Sequence, residues 1–323
     1  MREQRRKSEP APEIDSAHLL GYIKTFIPRF DCYSVQTSDG HYTAIKQPLT
    51  IEQVERHLRG NITIGAYALD SQNLAKWICF DADEEHEWEG LHTIAHQFAE
   101  LSLPTYLEPS RRGGHLWMFI DPLSGKDARR FAKHLLSVYQ LDGMEIYPKQ
   151  DELRTGPGSL VRLPLGFHRK AIPAHRFTFK TIMGDDLAPT VREQLALLAD
   201  PICIPTEFIQ ETIATIPEPK RVSPTRLLKP GDVISGEPSE RIKAAISVRD
   251  FVRQYIDLDG HNRGLCPFHD DHRQSFSVDE ERNYYQCFAG CKGNTVIDFY
   301  MQWNKVSFKQ AVKDLAQLYL PPL

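Results

Sequence analysis

Four potential metal ligands lie close together near the C-terminal end of the sequence and constrain its fold more than any other feature. Cys266 and His269 are separated by two residues, Cys287 and Cys291 by three, and 17 residues lie between the two pairs. Two close pairs of Cys and His suit tetrahedral Zn²⁺, whose structural sites are filled by four protein ligands. Short strands predicted between the pairs would bring them together. The sequence therefore predicts a small zinc ribbon in which the metal is structural.

Length and composition allow a second, larger domain. The 323-residue chain has room for two or three domains of about 100–200 residues. It is 41% hydrophobic and 25% charged, which excludes disorder, collagen and coiled coil for the chain as a whole. No apolar run reaches the roughly 18 residues needed to span a membrane. The basic start at residues 2–7 lacks the apolar segment of a secretory signal. We therefore expect a cytoplasmic protein without a membrane partner.

Charge is segregated along the chain, although the formal net charge is only −4. Residues 77–110 contain eight Asp or Glu and no Lys or Arg, whereas residues 149–180 contain seven Lys or Arg and two acids. The first stretch is suited to hold divalent cations and the second to hold phosphates. Charged runs are more often solvated surfaces, so the position of these side chains relative to strands decides the interpretation.

Changes in sequence character divide the chain into segments. A charged, proline-containing flexible tail is predicted at residues 1–13. Strands alternating with helices predict a catalytic domain at 14–210. Five prolines indicate an extended linker at 211–240. The zinc-binding domain is predicted at 241–323.

The acidic stretch places two carboxylates at the end of a strand. The apolar run at 75–82 predicts a central strand, from which Asp81 and Asp83 project on the same face because they are two residues apart. Carboxylate oxygens are the ligands that Mg²⁺ and Mn²⁺ prefer. Two such ions can activate a 3′-hydroxyl and stabilise a leaving pyrophosphate. An isolated pair of this kind is more often a polar strand end, so its neighbours decide.

The loop between the next two predicted strands has the composition of a phosphate-binding loop. Its paired glycines let the backbone approach a ligand closely, and its two arginines can hold phosphate oxygens bidentately. A histidine follows at the start of the next strand. The residues are Ser110, Arg111, Arg112, Gly113, Gly114 and His115.

A third acid and further cations follow along the chain. Glu145 lies among apolar residues of a short predicted strand, and a buried acid needs a partner or a metal. Asp151 is an alternative for the same role. Lys149, Arg162 and His168 add basic side chains in the segment suited to phosphates.

Four of these segments, in this order, resemble the archaeo-eukaryotic primase superfamily, and most of all the primase-polymerases of mobile elements and defence systems. They are FDAD, SRRGGHLW, MEIYPKQ and LVRLPLGFH, within about residues 60–180. The resemblance implies a mixed α/β (α+β) catalytic domain with an RRM-like sheet. It also implies that acids on two strands hold two catalytic Mg²⁺ or Mn²⁺ ions, and that a histidine after a turn contacts the incoming nucleotide.

Carried over to this sequence, the resemblance makes Asp81, Asp83 and Glu145 the metal-binding acids, with Asp151 as the alternative third acid. His115 becomes the nucleotide contact. The predicted nucleotide-binding set also includes Ser110, Arg111, Arg112, Gly114, Lys149, Arg162 and His168.

Residues 241–318 closely resemble the zinc-binding (CHC2-type) domain of bacterial replicative primases, through segments such as GLCPFH, YYQCF and GNTVIDFYMQW. That family usually has two residues between its last two cysteines. Here there are three, so we expect a distorted loop at Cys291. The resemblance implies contact with a single-stranded template, on which Tyr284, Tyr285 and Phe288 could stack. For Phe288, packing within the zinc domain is an equally good interpretation.

The two resemblances together predict a DNA primase or primase-polymerase, a template-dependent nucleotidyltransferase acting on single-stranded DNA with NTPs or dNTPs. The alternatives are a non-catalytic nucleic-acid-binding subunit of a replication or defence complex and, less favoured, a metal-dependent nuclease. The sequence contains no G-x-x-x-x-G-K-[ST] motif. We therefore expect a separate helicase partner to open the duplex.

Overall fold

The computed structural model describes residues 12–153, 156–171, 175–217, 236–271 and 273–320. The chain divides into two compact units, one of residues 1–153 and 157–216, the other of residues 154–156 and 217–323. Most of the tail predicted at 1–13 lies outside the described residues, as does 218–235 of the predicted linker.

The first unit contains strands and helices in mixed order. Its strands are β1 (Tyr33–Gln36), β2 (Tyr42–Ile45), β3 (Ile64–Tyr67), β4 (Leu74–Ala82), β5 (Tyr106–Pro109), β6 (Gly114–Ser124), β7 (Glu145–Tyr147), β8 (Leu160–Arg162), β9 (Phe167–His168) and β10 (His175–Arg176). Its helices are α1 (Ser16–Phe26), α2 (Ile51–Leu58), α3 (Glu85–Glu100), α4 (Gly125–Val138), α5 (Val191–Leu198) and α6 (Thr206–Thr215).

The central sheet of this unit has the strand order β5-β6-β4-β7 and is antiparallel throughout. Its elements follow one another as β4-α3-β5-β6-α4-β7, the βαββαβ arrangement of ferredoxin-like and RRM-like sheets. The predicted mixed architecture with an RRM-like sheet is confirmed. The apolar strand β4 is central, as its composition predicted.

Both faces of the central sheet are covered by apolar side chains. Because side chains alternate along β4, Ile78 and Phe80 face helices α3 and α4, whereas Trp77 and Cys79 face the opposite side. On that side the sheet packs against helix α1 and a second antiparallel sheet of order β2-β1-β3-β8. A polar side chain on either face is therefore covered by protein except near the strand ends.

The second sheet is completed by a strand that is distant in sequence. Strand β8 pairs with β3, which places Arg162 opposite Gly65. Helix α1 fixes the packing of the two sheets through two hydrogen bonds: the Tyr22 hydroxyl donates to the Pro164 carbonyl at 2.6 Å, and Trp77 Nε1 donates to the Phe26 carbonyl at 3.2 Å. This packing brings β8 over the second face of the central sheet.

Helix α2 contains a fully buried histidine, His57, that contacts the segment after β8. His57 Nδ1 accepts a hydrogen bond from the Ile64 N–H at 3.0 Å, which leaves Nε2 to donate to the Pro164 carbonyl at 3.2 Å. Burial lowers the pKa of His57 to about 3, although the Pro164 carbonyl opposes the shift. The ring is therefore neutral in the folded protein.

Because His57 is neutral in the folded protein, we expect acid to lower the stability of the fold. Below a pH of about 6.5 the unfolded chain protonates His57 while the folded chain does not, so stability falls as the pH falls, by about 1.4 kcal/mol per pH unit. We expect wild type to lose about 2 kcal/mol between pH 7 and pH 5 relative to His57→Gln. Urea unfolding of both proteins at pH 7, 6 and 5 measures this difference. A pH-independent difference would contradict the assignment.

The second unit is a three-stranded ribbon flanked by helices. Its elements are α7 (Pro238–Ala245), α8 (Val248–Val252), β11 (Arg263–Gly264), β12 (Phe276–Asp279), β13 (Tyr284–Cys287), α9 (Val296–Asn304) and α10 (Phe308–Tyr319). The strands pair antiparallel in the order β11-β12-β13. Helices and ribbon share one apolar core.

Aromatic side chains divide between this core and the surface. Tyr285 is fully buried and stacks on Phe276 with ring centroids 4.8 Å apart, so its predicted role in base stacking is wrong. Phe288 is 63% exposed, so it does not pack in the core of the zinc domain, and its stacking on bases stays a prediction. Tyr284 is half-buried. The alternation along β13 accounts for the difference, because Tyr285 points to the helices and its neighbour points away.

Helical residues occupy both ends of the segment predicted as a linker. Helix α6 extends into it as far as Thr215, and helix α7 begins within it at Pro238. Proline is tolerated at the first position of a helix, where its missing N–H has no intrahelical acceptor. Counting prolines therefore overestimates the length of irregular chain.

No helix among the described residues is both long enough and apolar enough to cross a membrane.

Candidate active site and metal centre

Four polar residues form a row across the central sheet. In the strand register, Glu108 lies opposite His115, His115 opposite Asp81, and Asp81 opposite Glu145. Residues directly opposite one another project from the same face of a sheet. The row therefore lies on the face towards the second sheet, at the end of β4 where the chain leaves the core.

Among the three residues of the row that the sequence predicted as site residues, His115 is the most buried. Its side chain is 8% exposed, and its two ring nitrogens face two carboxylates: Nδ1 lies 2.8 Å from Glu108 Oε2, and Nε2 lies 3.4 Å from Asp81 Oδ1. Burial opposes a charge on this ring, but Asp81 and Glu108 outweigh it and raise the pKa of His115 to about 9. Both nitrogens then act as donors.

Glu108 was not singled out in the sequence. Its side chain is fully buried, and its carboxylate accepts hydrogen bonds from His115, from Trp117 Nε1 at 3.1 Å and from Arg162 Nη2 at 2.8 Å. Burial would raise the pKa of Glu108, but Arg162 and His115 outweigh it and lower the pKa to about 2. The register of β5 and β6 is the signal that could have found Glu108, because it places this acid opposite His115.

Arg162 reaches the row from the second sheet. Its side chain is only 5% exposed, and its guanidinium donates to Glu108 and, at 3.4 Å, to the Leu163 carbonyl. The sequence predicted a phosphate contact for Arg162. In the folded protein its guanidinium is turned towards a buried carboxylate.

The three predicted metal-binding acids differ in their surroundings. About a quarter of the Asp81 side chain is exposed, whereas Asp83, just beyond β4, is 60% exposed and pairs with Arg112 at 2.5 Å. Glu145 pairs with Lys149 at 2.8 Å and accepts from the Tyr147 hydroxyl at 3.0 Å (Tyr147 is on the same face). Each of the three carboxylates therefore lies beside a basic side chain of the protein: Asp81 beside His115, Asp83 beside Arg112 and Glu145 beside Lys149.

The two candidates for the third acid are separated by their partners. Glu145 is directly opposite Asp81 in the sheet. Asp151 instead accepts from Arg129 Nε of helix α4 at 2.7 Å, and the same guanidinium donates to the Pro148 carbonyl at 3.1 Å. The geometry favours Glu145, because it shares the strand row with Asp81.

The glycines of the loop between β5 and β6 are explained by packing. A Cβ on Gly113 would lie 2.3 Å from the Ala82 carbonyl oxygen, and one on Gly114 would lie 2.4 Å from the Trp88 ring. The loop is closed by the Ser110 N–H, which donates to the Gly113 carbonyl at 2.9 Å. The missing side chains thus let the loop lie against the end of β4, and the nucleotide contacts of Ser110 and Gly114 stay predictions.

His168 lies close enough to the row to respond to its charges. The ring is half-buried, and its Nδ1 accepts from the Lys170 N–H at 3.1 Å. Burial and the charges of Arg162 and Arg111 lower the pKa of His168 to about 4. His168 is therefore neutral, and its contact to a nucleotide would be a hydrogen bond rather than an ion pair.

The four predicted zinc ligands of the second unit converge. Their ligand atoms all lie within 4.8 Å of one another. Among the described residues, this is the one group of three or more His, Cys, Asp or Glu side chains placed so that they could hold a metal ion. Cys291 Sγ is 3.9 Å from Cys266 Sγ and 3.2 Å from His269 Nδ1, and Cys287 Sγ is 3.7 Å from the same nitrogen. Tetrahedral ligands about 2.0–2.3 Å from one Zn²⁺ stand about 3.3–3.8 Å apart. The extra residue before Cys291 does not prevent convergence.

A buried aspartate supports this cluster and was also missed in the sequence. Asp271 Oδ2 accepts from the Cys266 N–H at 2.7 Å, and from the Ser275 N–H and hydroxyl at 2.8 and 2.7 Å. Ser275 Oγ in turn lies 3.3 Å from His269 Nε2. Such outer hydrogen bonds fix the orientation of metal ligands. Asp271 thus fixes the backbone at Cys266 and, through Ser275, lies next to the outer nitrogen of His269.

Comparisons with known families divide the chain in the same way. Residues 23–182 match the model of the archaeo-eukaryotic primase domain of TOTE conflict systems. Residues 234–320 match the model of the CHC2 zinc finger. The four converging residues lie inside the second match, which supports a structural zinc site.

Curated relatives match a limited stretch of the chain. A DNA primase of Staphylococcus epidermidis is 40% identical over 81 residues, which cover 24% of this chain and 14% of that protein. DNA primases of Lactococcus lactis and Enterococcus faecalis are each 38% identical, over 78 and 88 residues. The chain therefore spans only 12–14% of the length of these relatives.

Two solved structures are similar at a low level. The primase RepB' aligns with a TM-score of 0.32 and 13% identity over 61% of this chain and 64% of its own. The polymerase domain of Mycobacterium tuberculosis ligase D in complex with DNA aligns with a TM-score of 0.30 and 11% identity over 66% of this chain and 95% of its own. Scores this low support no conclusion about function.

Proposed function

We propose that this chain, which joins an archaeo-eukaryotic primase domain to a CHC2 zinc ribbon, synthesises primers on single-stranded DNA as a template-dependent nucleotidyltransferase. The observation that carries the proposal is the row of Glu108, His115, Asp81 and Glu145 at the end of β4. It combines acids suited to divalent cations with a histidine held as a donor, inside the domain that matches a primase family.

Asp81, Asp83 and Glu145 are proposed to hold the catalytic Mg²⁺ or Mn²⁺ ions. Their oxygen donors suit these hard cations. Asp81 and Glu145 lie opposite each other on adjacent strands, and Asp83 follows just beyond the end of β4. When bound, two such ions lower the pKa of the attacking hydroxyl and stabilise the leaving pyrophosphate. Arg112 and Lys149 now compensate two of the acids.

The cations around the row are proposed to bind the triphosphate. Arg112 and Lys149 become available to phosphate oxygens once another cation compensates Asp83 and Glu145. His115 directs its Nε2–H towards the exposed side of the row, where it can donate to a phosphate oxygen. Arg111 is exposed on the loop between β5 and β6, next to Arg112. In-line attack of a primer 3′-hydroxyl on the α-phosphate would follow from this placement.

The zinc ribbon is proposed to contact the single-stranded template. Phe288, which is 63% exposed, and the half-buried Tyr284 provide apolar surface on which bases can stack. A separate helicase partner stays a further proposal, based on the lack of a nucleotide-binding P-loop motif in the sequence. Co-purification from the native host tests it.

A synthesis assay tests the proposed function against its alternatives. The full chain is incubated with unprimed single-stranded DNA, Mg²⁺ or Mn²⁺, and labelled NTPs or dNTPs in separate reactions. We expect new strands that depend on the template and disappear with a chelator. A shortened template would identify a nuclease instead, and template binding without any reaction would identify a non-catalytic subunit.

A further inference from the structure

We propose that Glu108 is a positioning residue that holds His115 and Arg162 together as one unit at the nucleotide site. This inference rests on the proposed function and deepens it. Glu108 lies on β5, His115 on β6 and Arg162 on β8 of the other sheet. One buried carboxylate therefore fixes two side chains that reach it from different sheets.

The carboxylate of Glu108 is fully committed to these partners. Oε2 accepts from His115 Nδ1 at 2.8 Å and from Trp117 Nε1 at 3.1 Å, and Oε1 accepts from Arg162 at 2.8 Å. Its side chain has no solvent exposure, so water cannot replace a lost partner. A substitution at Glu108 must therefore alter the contacts of the other two residues.

The hydrogen bond between Glu108 and His115 Nδ1 determines which ring nitrogen of His115 faces the proposed nucleotide site. With Nδ1 held by Glu108, the His115 ring directs Nε2 towards Asp81, 3.4 Å away, at the partly exposed end of the row. Without this anchor the ring could rotate about its side-chain bonds and would lose its donor at the site. Glu108 thus orients His115 without touching the nucleotide.

The same geometry changes the role expected for Arg162. Its guanidinium is 5% exposed and faces Glu108 and the Leu163 carbonyl rather than the open end of the row. Arg162 therefore acts through Glu108: its positive charge stabilises the buried carboxylate, and the carboxylate orients His115. Removal of the Glu108 carboxylate would leave the buried Arg162 guanidinium without its acidic partner, which is strongly unfavourable.

The test uses Glu108→Gln in the full chain. The amide retains the size of the side chain and one acceptor oxygen, but its NH₂ group is a donor that would face another donor. The hydrogen bonds to His115 and to Arg162 therefore cannot both persist. We measure the Kd for dATP and ATP, and the KM and kcat of synthesis. We expect a rise of about tenfold in Kd and KM, equivalent to about 1.4 kcal/mol. In a His115→Ala background the same change should alter the Kd less than about twofold, because there is no ring left to orient.

A matched control separates positioning from stability. Gln194 is buried, and its side chain accepts from the Phe179 N–H at 2.9 Å and donates to the Phe179 carbonyl at 3.2 Å. Gln194→Ala should lower the melting temperature but leave the nucleotide Kd and KM unchanged. If Glu108→Gln has the Kd and KM of wild type, the inference is overturned and the proposed function stays intact. The same holds if the losses of affinity from Glu108→Gln and His115→Ala add up in the double variant. If the unsubstituted chain fails to bind nucleoside triphosphates, both are overturned.

Discussion

Replacing Asp81 with Asn is expected to reduce nucleotide incorporation by about a thousandfold or more, which corresponds to an activation barrier about 4 kcal/mol higher. Asp81 is the central member of the strand row, with His115 on one side and Glu145 on the other. Its carboxylate is the predicted metal ligand nearest the histidine. The amide keeps an oxygen for His115 Nε2, so the fold should be retained while the charge that a divalent cation requires is lost.

Primer synthesis and extension assays, with circular dichroism and thermal melting in parallel, check this result. Asp121→Asn is a suitable control, because Asp121 lies on β6 of the same sheet, exposed and at the end remote from the row. It should keep wild-type activity. A folded Asp81→Asn protein that retains synthesis within tenfold of wild type would remove Asp81 from the catalytic site.

Replacing Cys287 with Ser is expected to release zinc and unfold the second unit, a destabilisation of more than about 4 kcal/mol. Cys287 ends β13, packs in the apolar core and is one of four converging ligands. A serine hydroxyl is a far weaker ligand for Zn²⁺ than a thiolate. The ribbon and its helices form a small core that metal binding completes.

Metal analysis should find about one zinc per wild-type chain and much less in the variant. Thermal melting should lose the transition of the second unit and keep that of the first. Cys203→Ser is the control, because Cys203 is half-buried in the first unit and is not part of the cluster. Full zinc content and unchanged melting in Cys287→Ser would contradict a metal centre at these residues.

Features of the fold and of the site that are defined within a few consecutive residues were predicted correctly from the sequence. The apolar run before Asp81 predicted a central strand, and the spacing of cysteines and His269 predicted the cluster. These features are local because a strand or a ligand pair is defined within a few residues. His115 could be placed at the start of a strand for the same reason.

Contacts that depend on sheet register could not be predicted. Glu108 is one of eight acids in its stretch, and nothing in its local sequence marks it as buried. Its role follows from the pairing of β5 with β6 and from the approach of Arg162 on β8, a strand that pairs with the distant β3. Sequence likewise left Glu145 and Asp151 as alternatives, which only the pairing of β4 with β7 separates geometrically.

The strand row also limits how the length of this domain can change in evolution. Insertion or deletion of one residue inside β4, β5, β6 or β7 would turn that strand's member of the row to the opposite face. There a charged group would meet the core formed with helices α3 and α4, among side chains such as Phe80 and Met118. We therefore expect relatives of this domain to differ in length between these strands rather than within them, because each strand must keep a constant count of residues around the row.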